Sequence, residues 1–112
     1  IIILIGSCIE GMGEKVFEEW MVNSPSPDTV IERIQRKFQL GGHKAASISM
    51  ILKKNRIFLV SDLNDEFVKS IFMEPFPDIE VALEEAYKIS GKNSSVIFMP
   101  HGGSVLPQIK KY

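Results

Sequence analysis

A chain of 112 residues, 45% hydrophobic and 24% charged, has the size and composition of one globular domain and no room for two cores. A formal net charge of −1, with acids and bases interspersed, excludes the basic face that nucleic-acid binding needs. The one cysteine, Cys8, excludes an internal disulfide and fits a reducing compartment, so a cytoplasmic location is expected.

Residues 1–5 are an unbroken apolar, β-branched run. The run is far shorter than the ~20 residues of a membrane span and lacks the basic flank of a signal peptide. No membrane partner is expected. It reads instead as a strand buried on both faces, the mark of a parallel sheet covered by helices. A chain that opens inside such a strand without a Met is expected to be a piece of a longer one.

The strand ends at Gly6-Ser7-Cys8, and a helix over residues 14–22 follows, with Val16, Phe17, Trp20 and Met21 on its buried face. Residues 23–27 break the chain. Ser26 is placed to cap the next helix and Pro27 to be its first residue. That helix is expected to run to Leu40, with Val30, Ile31, Ile34 and Phe38 inward, and to stop at Gly41-Gly42. A third helix starts near His43, with Ala46, Met50 and Ile51 toward the core. Residues 57–60 form a second strand, and residues 65–72 a short helix. Pro75 and Pro77 break the chain again. Residues 78–90 form an amphipathic helix with Val81, Ala82, Ala86 and Ile89 on one side and Gly91 as its stop. Residues 95–99 are expected to be the third strand. Strands alternating with helices give a three-layer α/β sandwich with a small, mostly parallel sheet, in one domain over residues 1–112.

Ligands of such sheets bind at the carboxyl ends of strands, which singles out residues 6–13, 61–64 and 100–103. In the first loop Glu10, Gly11 and Gly13 could shape a cleft, since glycine lets the backbone approach a ligand closely. Gly6, Gly11 and Gly13 do not have dinucleotide-fingerprint spacing, and no Gly-Lys-Ser/Thr phosphate loop is present. A plain strand-to-helix turn accounts for the same residues.

The second feature is Gln39-Leu40-Gly41-Gly42-His43-Lys44. A His and a Lys at a helix start oppose the helix dipole, and broken local rules tend to mark function. A Lys there suits a carboxylate or phosphate, although a solvent-facing pair without a ligand is the plain alternative. Cys8 as a nucleophile would need a neighbouring base. His43 and His101 lack a third placed metal ligand.

Several stretches together resemble the nickel-dependent lactate racemase family: Cys8-Ile9-Glu10-Gly11-Met12-Gly13 with Phe17-Glu18-Glu19-Trp20, then Phe38-Gln39-Leu40-Gly41-Gly42-His43-Lys44-Ala45, and Val60-Ser61-Asp62-Leu63. The tail, with Pro100, Gly102-Gly103 and Leu106-Pro107, fits as well. The likeness concerns only that family's carboxyl-terminal domain. It implies a substrate-capping domain of a 2-hydroxy-acid racemase or epimerase, an isomerase, with Lys44, His43, Gln39 and Gly42 toward the substrate carboxylate. It also implies a nickel pincer nucleotide held mainly by an amino-terminal catalytic domain, with no metal ligand or catalytic residue on this chain. The expected partners are a small 2-hydroxy acid, that amino-terminal domain and, in a homo-oligomer, a second copy. Described racemases carry aromatic and glutamine residues where this chain has Gly-His-Lys-Ala, so the hydroxy acid stays open. The alternative from another class is a free-standing module that binds a small anion or a protein without catalysis.

Overall fold

In the computed structural model, which describes residues 1–111, the opening run becomes β1 (Ile2–Ile5). It pairs in parallel with β2 (Ile57–Val60), Ile2 opposite Ile57 and Ile5 opposite Val60. On the other side of β2 lies β3 (Glu74–Phe76), also parallel, with Phe58 opposite Glu74. The order β1-β2-β3 leaves β1 and β3 as edges.

The identity of the third strand is a correction. Residues 95–99 join no sheet among the described residues, and Glu74-Pro75-Phe76 takes the place. Proline lacks a ladder donor and is confined to edge strands, so a short strand centred on Pro75 is possible only where it sits, at the sheet's rim. β1 corrects a second expectation. Ile2 and Ile3 are half-buried while Leu4 and Ile5 are exposed, because the strand has a neighbour on one side only.

Four helices cover one face: α1 (Lys15–Val22), α2 (Pro27–Arg36), α3 (Gly42–Leu52) and α4 (Asp65–Ser70). Ile57 and Leu59 of β2 meet Trp20, Met21, Val30, Ala45, Ala46, Val68 and Ile71 there. Phe58 points the other way, as the two-residue period of a strand requires, and packs against the Phe76 ring at 4.4 Å between centroids. On that face α5 (Ile79–Ser90) lies across all three strands with Ala82 fully buried. The result is the three-layer α/β sandwich.

Local chemistry explains the helix ends. The Ser26 hydroxyl accepts from the Thr29 N–H with Pro27 in the first turn, Asn64 accepts from Phe67 N–H, and Asp78 accepts from Val81 N–H. α2 ends at Arg36 rather than Leu40. Lys37 turns to an extended conformation, and Phe38, expected inward, is exposed. In α3 the buried face is Gly42, Ala45, Ala46 and Ser49, whereas Met50 and Ile51 are exposed. Small residues let α3 approach α1 and α2 closely: Ser49 Oγ lies 3.8 Å from Met21 Sδ, toward which it donates. No described helix is long and apolar enough to cross a membrane.

Candidate functional site

The loop after β1 is built by backbone turns rather than by packing. The Gly11 N–H donates to the Cys8 carbonyl at 2.9 Å, and Cys8, Gly11 and Gly13 all have positive φ. Asp62 N–H donates to the Ser7 carbonyl at 3.2 Å, which ties this loop to the one after β2. Residues 7–13 line a depression open to solvent. Glu10, Gly11 and Gly13 stand on its rim, and a side-chain carbon added at Gly11 or Gly13 would meet nothing within 4 Å. Cys8 is half-buried. In the second loop Ser61 Oγ accepts from Leu63 N–H and Asn64 Oδ1 from Phe67 N–H, while Asp62 is exposed. Residues 100–103 follow no strand of the sheet among the described residues. They lead into an exposed 3₁₀ turn, Gly102–Ser104, with His101 exposed beside it.

The loop delivers the chain to Glu14, the cap of α1. Its carboxylate accepts from Val16 N–H at 3.1 Å and Phe17 N–H at 2.7 Å. Those two backbone bonds hold the Glu14 carboxyl below its ordinary range. The Lys44 ammonium acts in the same direction, and partial desolvation opposes them. The Glu14 carboxyl lies beside Gly41, where α1 and α3 start next to each other. Gly41 has φ of 91°, and a side-chain carbon there would run into the Glu14 carboxyl.

Next to it, Gly42 lies against the indole of Trp20. A methyl group at this position would come within 2.7 Å of the ring. Trp20 Nε1–H donates to Gln39 Oε1 at 3.2 Å, and the Arg33 guanidinium covers the same ring at 4.2 Å. His43 is fixed twice. Its Nδ1 accepts the Gly41 N–H at 3.1 Å, and its ring stacks on Phe38 at 5.9 Å. With Nδ1 accepting, the ring N–H of the neutral form is Nε2–H, and His43 is exposed. Lys44 is exposed.

The four residues singled out near α3 therefore share one turn, but their groups are not equally free. Gly42 N–H donates to the Gln39 carbonyl and Lys44 N–H to the Gly41 carbonyl. Together with the Gly41 bond to His43, this uses most of the backbone donors expected to face an anion. Gln39 keeps its amide NH₂ after its oxygen is taken. What remains for an anion is that amide, the Lys44 ammonium and the Nε2 side of His43. Among the described residues no three His, Cys, Asp or Glu side chains converge on a metal-sized position. Glu14 was not singled out in the sequence. An acid at a helix start satisfies the dipole, so nothing about it looks unusual until α3 is seen beside it.

The family described as the lactate racemase C-terminal domain matches residues 1–107. A lactate racemase of Thermoanaerobacterium thermosaccharolyticum is 30% identical over 115 residues, covering 98% of this chain and 27% of the relative. The solved structure of the lactate racemase apoprotein from that organism superposes with a TM-score of 0.72 at 30% identity, over 79% of this chain and 22% of the other. The chain thus spans about a quarter of the length of the curated relative.

Proposed function

The chain belongs to the lactate racemase C-terminal domain family, and we propose from that membership that it caps the substrate in a 2-hydroxy-acid racemase or epimerase. The reactive groups lie on a further domain. The observation that carries the reading is the joint start of α1 and α3. There Lys44 and His43 are exposed, His43 is held through Nδ1, and the Glu14 carboxylate lies close enough to feel the Lys44 charge.

The roles follow from charge and geometry. The Lys44 ammonium donates to the substrate carboxylate, a charge-assisted bond that strengthens once the facing domain excludes water. His43, held by Gly41 and Phe38, offers Nε2–H to a second oxygen of the substrate. The amide NH₂ of Gln39 completes the donor set. The loop bearing Glu10, Gly11 and Gly13 forms the adjoining wall. Glu14 places a fixed negative charge near Lys44, so a monocarboxylate is favoured over a dianion such as phosphate.

A nickel pincer nucleotide, implied by the resemblance, supplies the hydride acceptor in such enzymes. This chain's residues do not fit the metal, because no converging donor set exists among those described. Its share of the work is binding, orientation and shielding.

Steady-state kinetics of the full-length protein carrying Lys44→Ala test the proposal. Loss of a hydrogen bond to a charged group is worth about 1.5–3 kcal/mol, so kcat/KM is expected to fall roughly 10- to 150-fold. An unchanged kcat/KM would overturn the assignment.

A further inference from the structure

Residues 95–99 carry four successive apolar side chains that belong to no element: Val96, Ile97, Phe98 and Met99 are 40%, 80%, 68% and 44% exposed. β1 has the complementary deficit. Ile2 N–H donates to the Arg56 carbonyl at 2.9 Å and Gly6 N–H to the Val60 carbonyl at 3.0 Å. Alternation along a parallel ladder then turns the backbone N–H and C=O groups of Ile3 and Ile5 to the free edge. Leu4 and Ile5 are exposed on that strand. An apolar strand edge left open is an invitation to pairing.

The topology selects which edge the segment can take. β1, β2 and β3 follow one another across the sheet with α1 to α4 on one face. The next helix, α5, lies on the opposite face. Parallel crossovers are right-handed in about 98% of cases, so a connection over the opposite face must step back across the sheet, from β3 toward β1. The positions beside β2 are filled, and the first vacant one is the outer edge of β1. α5 reaches β1, and residues 91–94 can extend over roughly 13 Å. The distance is within reach of one strand spacing of about 4.8 Å beyond β1. The segment also has apolar side chains in both alternating sets, Val96 with Phe98 and Ile97 with Met99, as a strand between two helical layers needs.

We propose that residues 95–99 are a strap that docks on the free edge of β1 as a fourth parallel strand, giving the order 95–99, β1, β2, β3. Docked in parallel, its carboxyl end sets residues 100–103 beside the loop of residues 6–13. His101 then joins the wall on which Glu10 stands. The inference uses no substrate contact, so it stands or falls apart from the capping role.

Amide hydrogen exchange resolved by residue tests it on the 112-residue chain. Ile3 and Ile5 amides are expected to exchange at least about tenfold more slowly than exposed loop amides such as Glu10. Ile97→Pro, or ending the chain at Asn93, is expected to abolish that protection while Leu4 and Gly6, bonded to β2, keep theirs. Unprotected Ile3 and Ile5 in the wild-type chain would overturn the proposal. So would protection that survives both variants, or protection that rises with protein concentration, the sign of a second copy on the edge.

Discussion

Trp20 Nε1–H donates to Gln39 Oε1 at 3.2 Å while the same indole lies against Gly42, so one buried ring sets both the approach to α3 and its first residue. Trp20→Phe keeps much of the ring and loses the donor. Stability is expected to fall by about 1 kcal/mol, the worth of a neutral hydrogen bond, and Trp20→Ala by about 3–5 kcal/mol through the cavity it leaves. Urea unfolding of both variants checks the ratio.

Gly42→Ala places a methyl group within 2.7 Å of a ring that is fully buried and cannot swing aside. Overpacking of this kind costs about 1–3 kcal/mol. Gly11→Ala meets open space and bears only its positive φ, a strain of about 1–2 kcal/mol. Thermal unfolding is expected to show both variants destabilised, and nuclear magnetic resonance spectra to show altered signals at Gln39 and His43 in the Gly42 variant alone.

Glu14 makes stability depend on acidity in a defined direction. Its folded-state carboxyl titrates below the ordinary value because Phe17 N–H and Val16 N–H bond the charged form. The stabilisation is therefore fully present above the ordinary glutamate range, about pH 4.3, and is lost as pH falls through the lowered folded value. Glu14→Gln removes the term. Unfolding midpoints of wild type and variant, taken across this range, are expected to converge as the pH drops. A gap that stays constant with pH would contradict the linkage.

The same substitution tests selectivity. With Glu14→Gln the fixed negative charge near Lys44 is gone, and inorganic phosphate is expected to gain more affinity than lactate. Calorimetric titration with the two ligands measures the difference. Equal change for both would remove the specificity role of Glu14.

Much of the fold was legible because local signals agree with one another. Ser26-Pro27 announces α2, Asp78 starts α5, and β-branched runs mark β1 and β2. β3 was not legible, since Glu74-Pro75-Phe76 carries a chain-breaking proline that only an edge position tolerates. Nor, apart from Ala46, was the buried face of α3, where Gly42, Ala45 and Ser49 are small rather than strongly apolar. Their burial comes from the close approach of Trp20 and Met21. In the site, His43 and Lys44 stood out by opposing the helix dipole. Glu14 stayed hidden because it obeys the same rule on α1. The spent backbone donors of the Gly41 turn depend on folded geometry alone.

The capping role rests on the donors at the start of α3 meeting a 2-hydroxy acid, and nuclear magnetic resonance titration of the 112-residue chain with lactate reaches that contact directly. The expected result is saturable shifts confined to Gln39, Gly42, His43, Lys44 and Glu14, lost in Lys44→Ala, with no racemisation by the isolated chain. Shifts absent from this turn, or persisting unchanged in Lys44→Ala, would contradict it.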